Sequence, residues 1–247
     1  MKIRIKFTKH GTIKFIGHLD MMRYFQKAIR RAGIDITYTE GFSPHQVMSF
    51  AAPLSVGVES SGEYFDIQVN STKNSLESIM LLNNQMAQGV TITQYRRLDD
   101  STKSAMSKVA AASYIVYYKD NKEYPFDENK LNEYICKYIK EEDTILVEKK
   151  SKKSTRVINL KPNIYEFSDI RNNKSNLSNF EEDKKGFFMM VAAGSVENIK
   201  PSIVLEYFYN KVGVEFDISC MQIERIDVFY DDNGVFKPLG NEGVDIF

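Results

Sequence analysis

The sequence predicts an α+β protein built from two tandem ferredoxin-like halves, each with the element order βαββαβ and an antiparallel sheet. Segments in which apolar and polar residues alternate are typical of half-buried strands, and segments with apolar residues at helical spacing lie between them. The same order of strands and helices occurs twice. We therefore predict one domain at residues 1–98, a linker at 99–112 and a second domain at 113–247, with a polar loop near residues 171–185.

The first half starts with the alternating segment IRIKF at residues 3–7, whose three apolar residues share one face of a strand and whose two cations share the other. The apolar spacing after it predicts a helix over residues 18–33, where Gly33 suits the left-handed position that ends a helix. A second helix is predicted over residues 75–89. The other strands are predicted at residues 36–40, 47–51, 63–69 and 90–98.

The second half repeats this order after the small and polar residues 99–112. Two helices are predicted, one over residues 127–143 and one over residues 200–212 that begins near Pro201. Strands are predicted at residues 113–118, 144–150, 155–161, 187–193 and 221–230, the second and third of them joined as a hairpin by the turn at residues 150–154.

Charge is unevenly distributed along a chain that is neutral as a whole, with 33 Lys and Arg against 33 Asp and Glu. Residues 1–49 carry a net charge of +6, and residues 186–247 carry −6. The basic segment could attract phosphate groups, or it could dock on the acidic segment of the same chain. Both interpretations stay open at the level of the sequence.

Several functional classes are excluded by absent motifs. The chain lacks a P-loop, a GxGxxG, a GxSxG and the clustered cysteines of an iron–sulfur protein, and its two cysteines, Cys136 and Cys220, are far apart. We predict no disulfide, no metal and no cofactor. Because no apolar segment is long enough to span a membrane, we also predict a cytoplasmic protein without membrane contact.

His18, Asp20 and His45 are the candidate catalytic groups. His18 stands with Asp20 at the start of the first predicted helix, and His45 follows Pro44 in a loop that Gly41 allows to turn sharply. Packing or capping roles explain these histidines equally well. A metal site formed by His18, Asp20 and His45 is chemically reasonable, but the spacing matches no compact ligand motif.

Cations on the first predicted helix are the candidate RNA contacts. Arg23, Lys27 and Arg30 recur on one helical face, and Arg31 lies beside them. A solvated face is the ordinary explanation of such a pattern. Together with Lys9, Lys14 and the turn at residues 150–154, these side chains could instead bind phosphate.

Residues 1–68 resemble the N-terminal part of the uncharacterised bacterial radical SAM-linked protein family. The resemblance rests on a lysine and glycine turn, an HLD sequence, a helix that ends in RRAG, a GFxPH loop and a PLxVGxES turn. The matching positions are Lys9, Gly11, Phe15, His18, Leu19, Asp20, Arg30, Arg31, Gly33, Gly41, Phe42, Pro44, His45, Ser49, Phe50, Pro53, Leu54, Val56, Gly57, Glu59 and Ser60. Gly17 and Gln46 depart from the residues that are usual in the family. We define the motif surface as Lys9, Gly11, His18, Asp20, Gly41, Phe42, Pro44, His45, Ser49 and Glu59.

The second half matches this family more loosely, because Asn159 and Lys161 stand where aspartate and arginine are usual. The resemblance implies a protein encoded beside, or fused to, a radical SAM protein, with tRNA or rRNA as its possible nucleic-acid partner. It supplies no catalytic residue, since no activity is established for the family.

Three functions follow as hypotheses. The favoured one is a non-catalytic accessory protein of a radical SAM enzyme that binds RNA, the enzyme or both. The alternative is a metal-independent endoribonuclease, because tandem ferredoxin-like halves with a histidine near a helix start resemble, in architecture only, the CRISPR repeat-processing endoribonucleases. In that case His18 and His45 would exchange protons while the arginines stabilise phosphate charge. The third hypothesis is an adaptor that binds only protein.

Overall fold

The structure is a computed structural model that describes residues 1–150, 155–176 and 184–247. The fold is a mixture of helices and mostly antiparallel strands, which confirms the predicted α+β class. The strands are β1 Lys2–Lys9, β2 Met48–Phe50, β3 Glu59–Gln68, β4 Val90–Arg97, β5 Val109–Tyr118, β6 Leu146–Lys150, β7 Thr155–Asn159, β8 Ile164–Asp169, β9 Gly186–Ala192, β10 Met221–Asp232 and β11 Val235–Pro238. The α-helices are α1 His18–Arg31, α2 Ser75–Asn83, α3 Ala105–Lys108, α4 Leu131–Ile135 and α5 Pro201–Val212.

The described residues form two compact units, and the division differs from the expected domains. Unit 1 contains Met1–Ala111 and Arg225–Phe247, and unit 2 contains Ala112–Glu224. The sequence prediction placed all of residues 113–247 in the second domain. The last residues belong to unit 1 because β10 lies beside β3 and the segment after it packs on β1. The expected linker at residues 99–112 contains α3 and the start of β5.

Unit 1 is built on the strand order β4-β1-β3-β10, in which β2 also pairs with β3 and β11 with β10. The strand β1 runs antiparallel to both of its neighbours. One face of the sheet packs against α1 and α2, where Phe7, Phe25, Phe50 and Phe65 form the centre of the core. Phe7 and Phe25 meet edge to face with ring centroids 4.7 Å apart, a favourable geometry for aromatic rings.

The opposite face of this sheet is also covered, which the sequence did not indicate. Tyr64, Ala105, Val228 and Leu239 pack there as a second apolar cluster. Arg4 projects from β1 toward this side and is only 2 % exposed. The alternation in IRIKF therefore separates two buried faces, one apolar and one charged.

Gly62 explains how closely β3 and β10 approach each other. A Cβ atom at this position would lie 2.4 Å from the carbonyl oxygen of Ile226, a distance that no side chain tolerates. Glycine is therefore needed inside a strand, where it otherwise weakens packing.

Unit 2 has the strand order β10-β5-β9-β8, with the residues of β10 up to Glu224 belonging to this unit. Its core contains Phe126, Phe187 and Phe208. The helix α5 confirms the prediction for residues 200–212, because Pro201 stands in its first turn and Gly213 ends it with a φ of +80°.

The remaining predictions for unit 2 need correction. The strand β8 was missed, although it pairs with β9. The hairpin of β6 and β7 forms a separate two-stranded sheet. The helix predicted over residues 127–143 is shorter, since α4 continues only as a π-helical turn over Cys136–Lys140. Of the predicted turn at residues 150–154 and the polar loop near 171–185, residues 151–154 and 177–183 lie outside the described part.

Two strands predicted for unit 1 are also shorter than expected. Residues 36–40 contribute only the isolated bridges of Ile36 with Val69 and of Tyr38 with Gln46. The strand at residues 47–51 is reduced to β2.

Candidate nucleic-acid interface

The motif surface belongs entirely to unit 1, where the end of β1, the start of α1, the loop before β2 and the start of β3 supply its residues. Glu59 stabilises the turn that follows β1. Its Oε1 accepts hydrogen bonds from the backbone N–H of Gly11 at 3.1 Å and from the Lys14 ammonium at 3.0 Å. The imidazole Nδ1 of His10 lies 3.9 Å from the other oxygen. Lys14 is thus an ion-pair partner of Glu59, which weakens its case as an RNA contact.

Lys9 lies inside the unit and is only 3 % exposed. Its ammonium donates a hydrogen bond to the carbonyl oxygen of Ile16 at 2.8 Å and so holds the chain that leads into α1. A side chain in this position cannot reach a phosphate group in solution. The structure therefore corrects its assignment as an RNA-binding candidate and gives it a structural role.

A buried ion pair lies close to Lys9. Arg225 donates to both carboxylate oxygens of Glu63, from Nε at 2.8 Å and from Nη2 at 2.5 Å, and both side chains are at most 5 % exposed. Ser60 donates to Glu63 Oε1 at 2.6 Å. Sequence reasoning missed Glu63 and Arg225 as a pair, because alternation within each strand does not reveal which strands become neighbours.

The burial of Lys9 predicts a specific pH dependence of stability. Burial lowers the pKa of Lys9 below its usual 10.5, Glu63 opposes this effect and Arg225 adds to it. The folded protein then loses this proton at a lower pH than the unfolded chain does, so the unfolded chain binds more protons between the two pKa values. The stability contribution of Lys9 must rise with pH in that interval, which ends at 10.5.

The variant Lys9→Met removes the titration while keeping most of the side-chain volume. We expect the free energy of unfolding of the wild type, minus that of Lys9→Met, to increase as the pH is raised over the interval that ends at 10.5. Urea unfolding at a series of pH values measures this difference. A difference that stays constant over this range would contradict the assignment.

The two candidate catalytic histidines have different surroundings. The ring of His18 packs edge to face against Phe50, with centroids 5.4 Å apart, at the border of the apolar core. His45 is exposed, and its Nδ1 lies 3.0 Å from the hydroxyl oxygen of Thr39. Asp20 is exposed and pairs with Arg23 at 3.3 Å. These contacts explain both histidines through packing and loop stability.

The ligand set proposed from the sequence for a metal does not assemble. Among the described residues, the ligand atoms of His18, Asp20 and His45 do not all lie within 4.8 Å of one another. The prediction that this chain holds no metal stays a prediction.

The loop with the GFSPH sequence is tied both to itself and to α1. The backbone N–H of Thr39 donates to the carbonyl oxygen of His45 at 2.9 Å, and the backbone N–H of His45 donates to the Thr39 hydroxyl oxygen at 3.1 Å. Gly41 has a φ of +107°, as the loop requires. The side chain of Gln46 donates to the carbonyl oxygen of Gln26 in α1 at 3.1 Å. The loop therefore lies beside this helix.

The exposed face of α1 is strongly basic. Arg23, Lys27, Arg30 and Arg31 are exposed, whereas Met21, Phe25, Ala28 and Ile29 of the same helix are buried. Arg23 pairs with Asp20, and Arg31 contacts Gln85. The cations predicted to share one face do so, and they face solvent.

The cations of β1 behave differently from those of α1. Arg4 pairs with Glu242, and Lys6 pairs with Asp227 at 2.8 Å. Docking of basic residues on the acidic C-terminal segment therefore occurs for β1, whereas the helix keeps its charge available. The docking interpretation is therefore observed for β1, and attraction of phosphate groups by α1 stays a prediction.

Several aromatic side chains lie on this surface, although the sequence pattern placed the aromatics mostly in the core. Phe42 is fully exposed, and Phe15 and Tyr38 are largely exposed. The Lys14 ammonium lies 5.7 Å from the centre of the Phe15 ring. Tyr165 and Phe247 are exposed as well, whereas many other aromatics lie in the core as predicted, so the spacing alone did not identify the exposed ones.

None of the helices in the described residues is long and apolar enough to cross a membrane.

No curated protein matches the chain. Among solved structures, the chain is similar to one in a crystal structure of a Cbf5–Nop10–Gar1 complex, at 11% identity and a TM-score of 0.49, over 93% of this chain and 50% of that chain. It thus spans about half the length of that relative. A model of the family described as "Uncharacterized protein conserved in bacteria (DUF2344)" matches residues 2–201, and the chain belongs to that family.

Proposed function

We propose that this protein is a non-catalytic RNA-binding protein whose RNA contact is the basic face of α1. The observation behind the proposal is the exposure of Arg23, Lys27, Arg30 and Arg31 on one helix with Asp20 as its one acid. Arg23 and Arg30 are seven positions apart, which is about 10 Å along the helix at 1.5 Å per residue. Cations spread over this length can neutralise several phosphates of one RNA strand and release the counterions that those phosphates hold.

The contacts of the histidines support binding rather than cleavage. An endoribonuclease of the kind considered above needs two imidazoles that are free to transfer protons. His18 packs against Phe50, and the Nδ1 atom of His45 is engaged with Thr39, so packing and loop stability already account for both side chains, while the Nε2 atom of His45 would still be able to transfer a proton. We therefore favour a protein that holds RNA and leaves the chemistry to a partner.

The architecture that we propose remains two tandem ferredoxin-like halves. In unit 1 the order β4-β1-β3-β2, with α1 and α2 between the strands, supports it. In unit 2 the order β10-β5-β9-β8 supports it when the hairpin of β6 and β7 is treated as an insertion. The strand β8, which the sequence prediction missed, is then the second strand of this half. The prediction gave that position to the hairpin.

A radical SAM enzyme as partner, and tRNA or rRNA as the bound RNA, rest on the resemblance of residues 1–68 alone. The description of the family that matches the chain names no partner. Co-purification of a radical SAM protein with the tagged full chain from its native cells tests this part. Failure of that protein to co-purify, with or without added RNA, would remove it from the proposal.

The double variant Lys27→Glu, Arg30→Glu tests the RNA contact. Both side chains are exposed, so the fold should tolerate the change. We expect RNA affinity to fall by roughly 10- to 100-fold at low salt, and the slope of log affinity against log salt to decrease by about two. Fluorescence anisotropy with total tRNA and with rRNA fragments at several salt concentrations measures both quantities.

The matched control is Lys103→Glu, an exposed lysine two residues before Ala105, which packs on the opposite face of the sheet. This control should keep the wild-type affinity and slope. Equal losses in the control and the double variant would contradict the assignment of α1. Denaturing gels of the same samples should show intact RNA, and discrete new fragments that vanish in His45→Ala would favour the nuclease instead.

A further inference from the structure

We propose that the surface beside α1 takes an unpaired RNA strand and that Phe42 and Phe15 stack on its bases. This inference rests on the proposed function and specifies its substrate class. A basic helix face by itself contacts phosphates of paired and unpaired RNA alike. The two exposed aromatic rings next to it add a requirement for open base faces, which a duplex does not offer.

Phe42 is placed where a solvated ring has no structural purpose. Its side chain is fully exposed, while the surrounding loop is held by the hydrogen bonds between Thr39 and His45. The ring is thus presented on an ordered loop. Leaving a phenylalanine in water forgoes the stabilisation that its burial would contribute, so a fully exposed ring on a hydrogen-bonded loop is a candidate contact for a ligand.

The loop that carries Phe42 is fastened to α1 near its cations. Gln46, at the end of the loop, bonds to the carbonyl oxygen of Gln26. Gln26 precedes Lys27 directly and lies one helical turn before Arg30, so these cations are its neighbours on the helix. A strand whose phosphates contact Lys27 and Arg30 would pass next to the loop that carries Phe42.

Phe15 lies just before the N-terminus of α1 in the chain. It ends the short 3-10 helix Gly11–Phe15, which Glu59 fastens through Gly11 and Lys14. Phe15 precedes the exposed Leu19 in the first turn of α1 by four residues. Phe15 thus lies near the start of α1, and the loop that carries Phe42 is bonded to the same helix at Gln26.

The charge of this surface selects nucleic acid over an apolar protein partner. Exposed aromatics alone would suit either kind of ligand. Four cations with one acid beside them match the repeated negative charge of a phosphate backbone, and a base offers a π-face to each ring. Stacking of this kind tolerates any base, so we expect weak sequence preference.

Affinities for an unpaired 12-nucleotide RNA and for the same strand annealed to its complement test the inference. A 2-aminopurine base in the unpaired strand reports stacking through its fluorescence. We expect the wild type to prefer the unpaired strand and to quench this fluorescence. Phe42→Ala and Phe15→Ala should each reduce its affinity for the unpaired strand by about 10-fold, with little change for the duplex.

Two further variants separate stacking from other effects. Phe42→Trp keeps an aromatic ring and should retain both the affinity and the quenching. Leu76→Ala removes another exposed apolar side chain, on α2, and should change neither. Circular dichroism of each variant verifies that the fold is intact.

The outcomes distinguish this inference from the function on which it rests. Binding that depends on Lys27 and Arg30, but is equal for both RNAs and unchanged in Phe42→Ala and Phe15→Ala, would overturn stacking and leave the RNA-binding proposal in place. A wild-type protein that binds neither RNA at low salt would overturn both.

Discussion

Replacement of Arg225 by alanine should lower the free energy of unfolding by about 3–5 kcal/mol. The guanidinium is 4 % exposed and donates to both oxygens of Glu63, and its Nη2 also donates to the carbonyl oxygen of Ala52 at 3.0 Å. Its removal leaves the Glu63 carboxylate buried without its counter-charge, and a buried unpaired charge is the costly part of such a pair. Urea unfolding followed by circular dichroism measures the loss.

A double variant separates the cost of an orphaned charge from the value of the pair. Glu63→Leu combined with Arg225→Met removes both charges, so we expect it to be less destabilised than Arg225→Ala alone. Arg23→Ala serves as the control, because Arg23 pairs with Asp20 on an exposed helix face and such pairs contribute at most about 1 kcal/mol. If the double variant were as unstable as the sum of its single changes, the buried charge would not be the cause.

Replacement of Arg4 by leucine should cost a similar amount, about 3–5 kcal/mol, and should also loosen the C-terminal segment. Arg4 donates to the two carboxylate oxygens of Asp66 at 2.8 and 3.0 Å and also pairs with Glu242. It thus joins β1 and β3 to the residues that follow β11. The loss leaves the largely buried Asp66 carboxylate without its cation, whereas Glu242 keeps Lys108 as an ion-pair partner.

Hydrogen exchange detects this loosening locally. Val244 and Arg97 exchange two backbone hydrogen bonds of 2.9 Å, and Arg4→Leu should accelerate exchange of the Val244 amide more than that of amides in α1. Lys73→Ala, which removes an exposed partner of Glu77, should leave this exchange unchanged. An unaltered rate at Val244 in Arg4→Leu would show that Arg4 does not fasten the segment.

Local periodicity was sufficient for the elements whose burial pattern is contained in their own residues. The alternation at residues 3–7 predicted β1, and the spacing at residues 18–33 predicted α1 with its buried and basic faces. Pro201 and Gly213 marked the ends of α5. The strand β8 escaped prediction because Lys161–Asn163 forms a 3-10 turn with Pro162 just before it, and its short run IYEFSD shows little contrast between apolar and polar positions.

Part of the candidate site was likewise predictable from the sequence, and part of it was not. Sequence spacing predicted that Arg23, Lys27 and Arg30 share a face, since helical geometry alone decides it. It could not predict that Lys9 would be buried or that Phe42 would be exposed. The resemblance of residues 1–68 drew attention to these positions without telling which of them face solvent.

By itself, the sequence therefore determined the α+β class, most helices and strands, and the basic face of α1. Only the tertiary structure decided that Arg225 pairs with Glu63 and that Arg4 is enclosed by the C-terminal segment. Alternation assigns each residue of a strand to one of two faces, but it carries no information about what covers the second face. In this protein part of that cover comes from residues more than two hundred positions further along the chain.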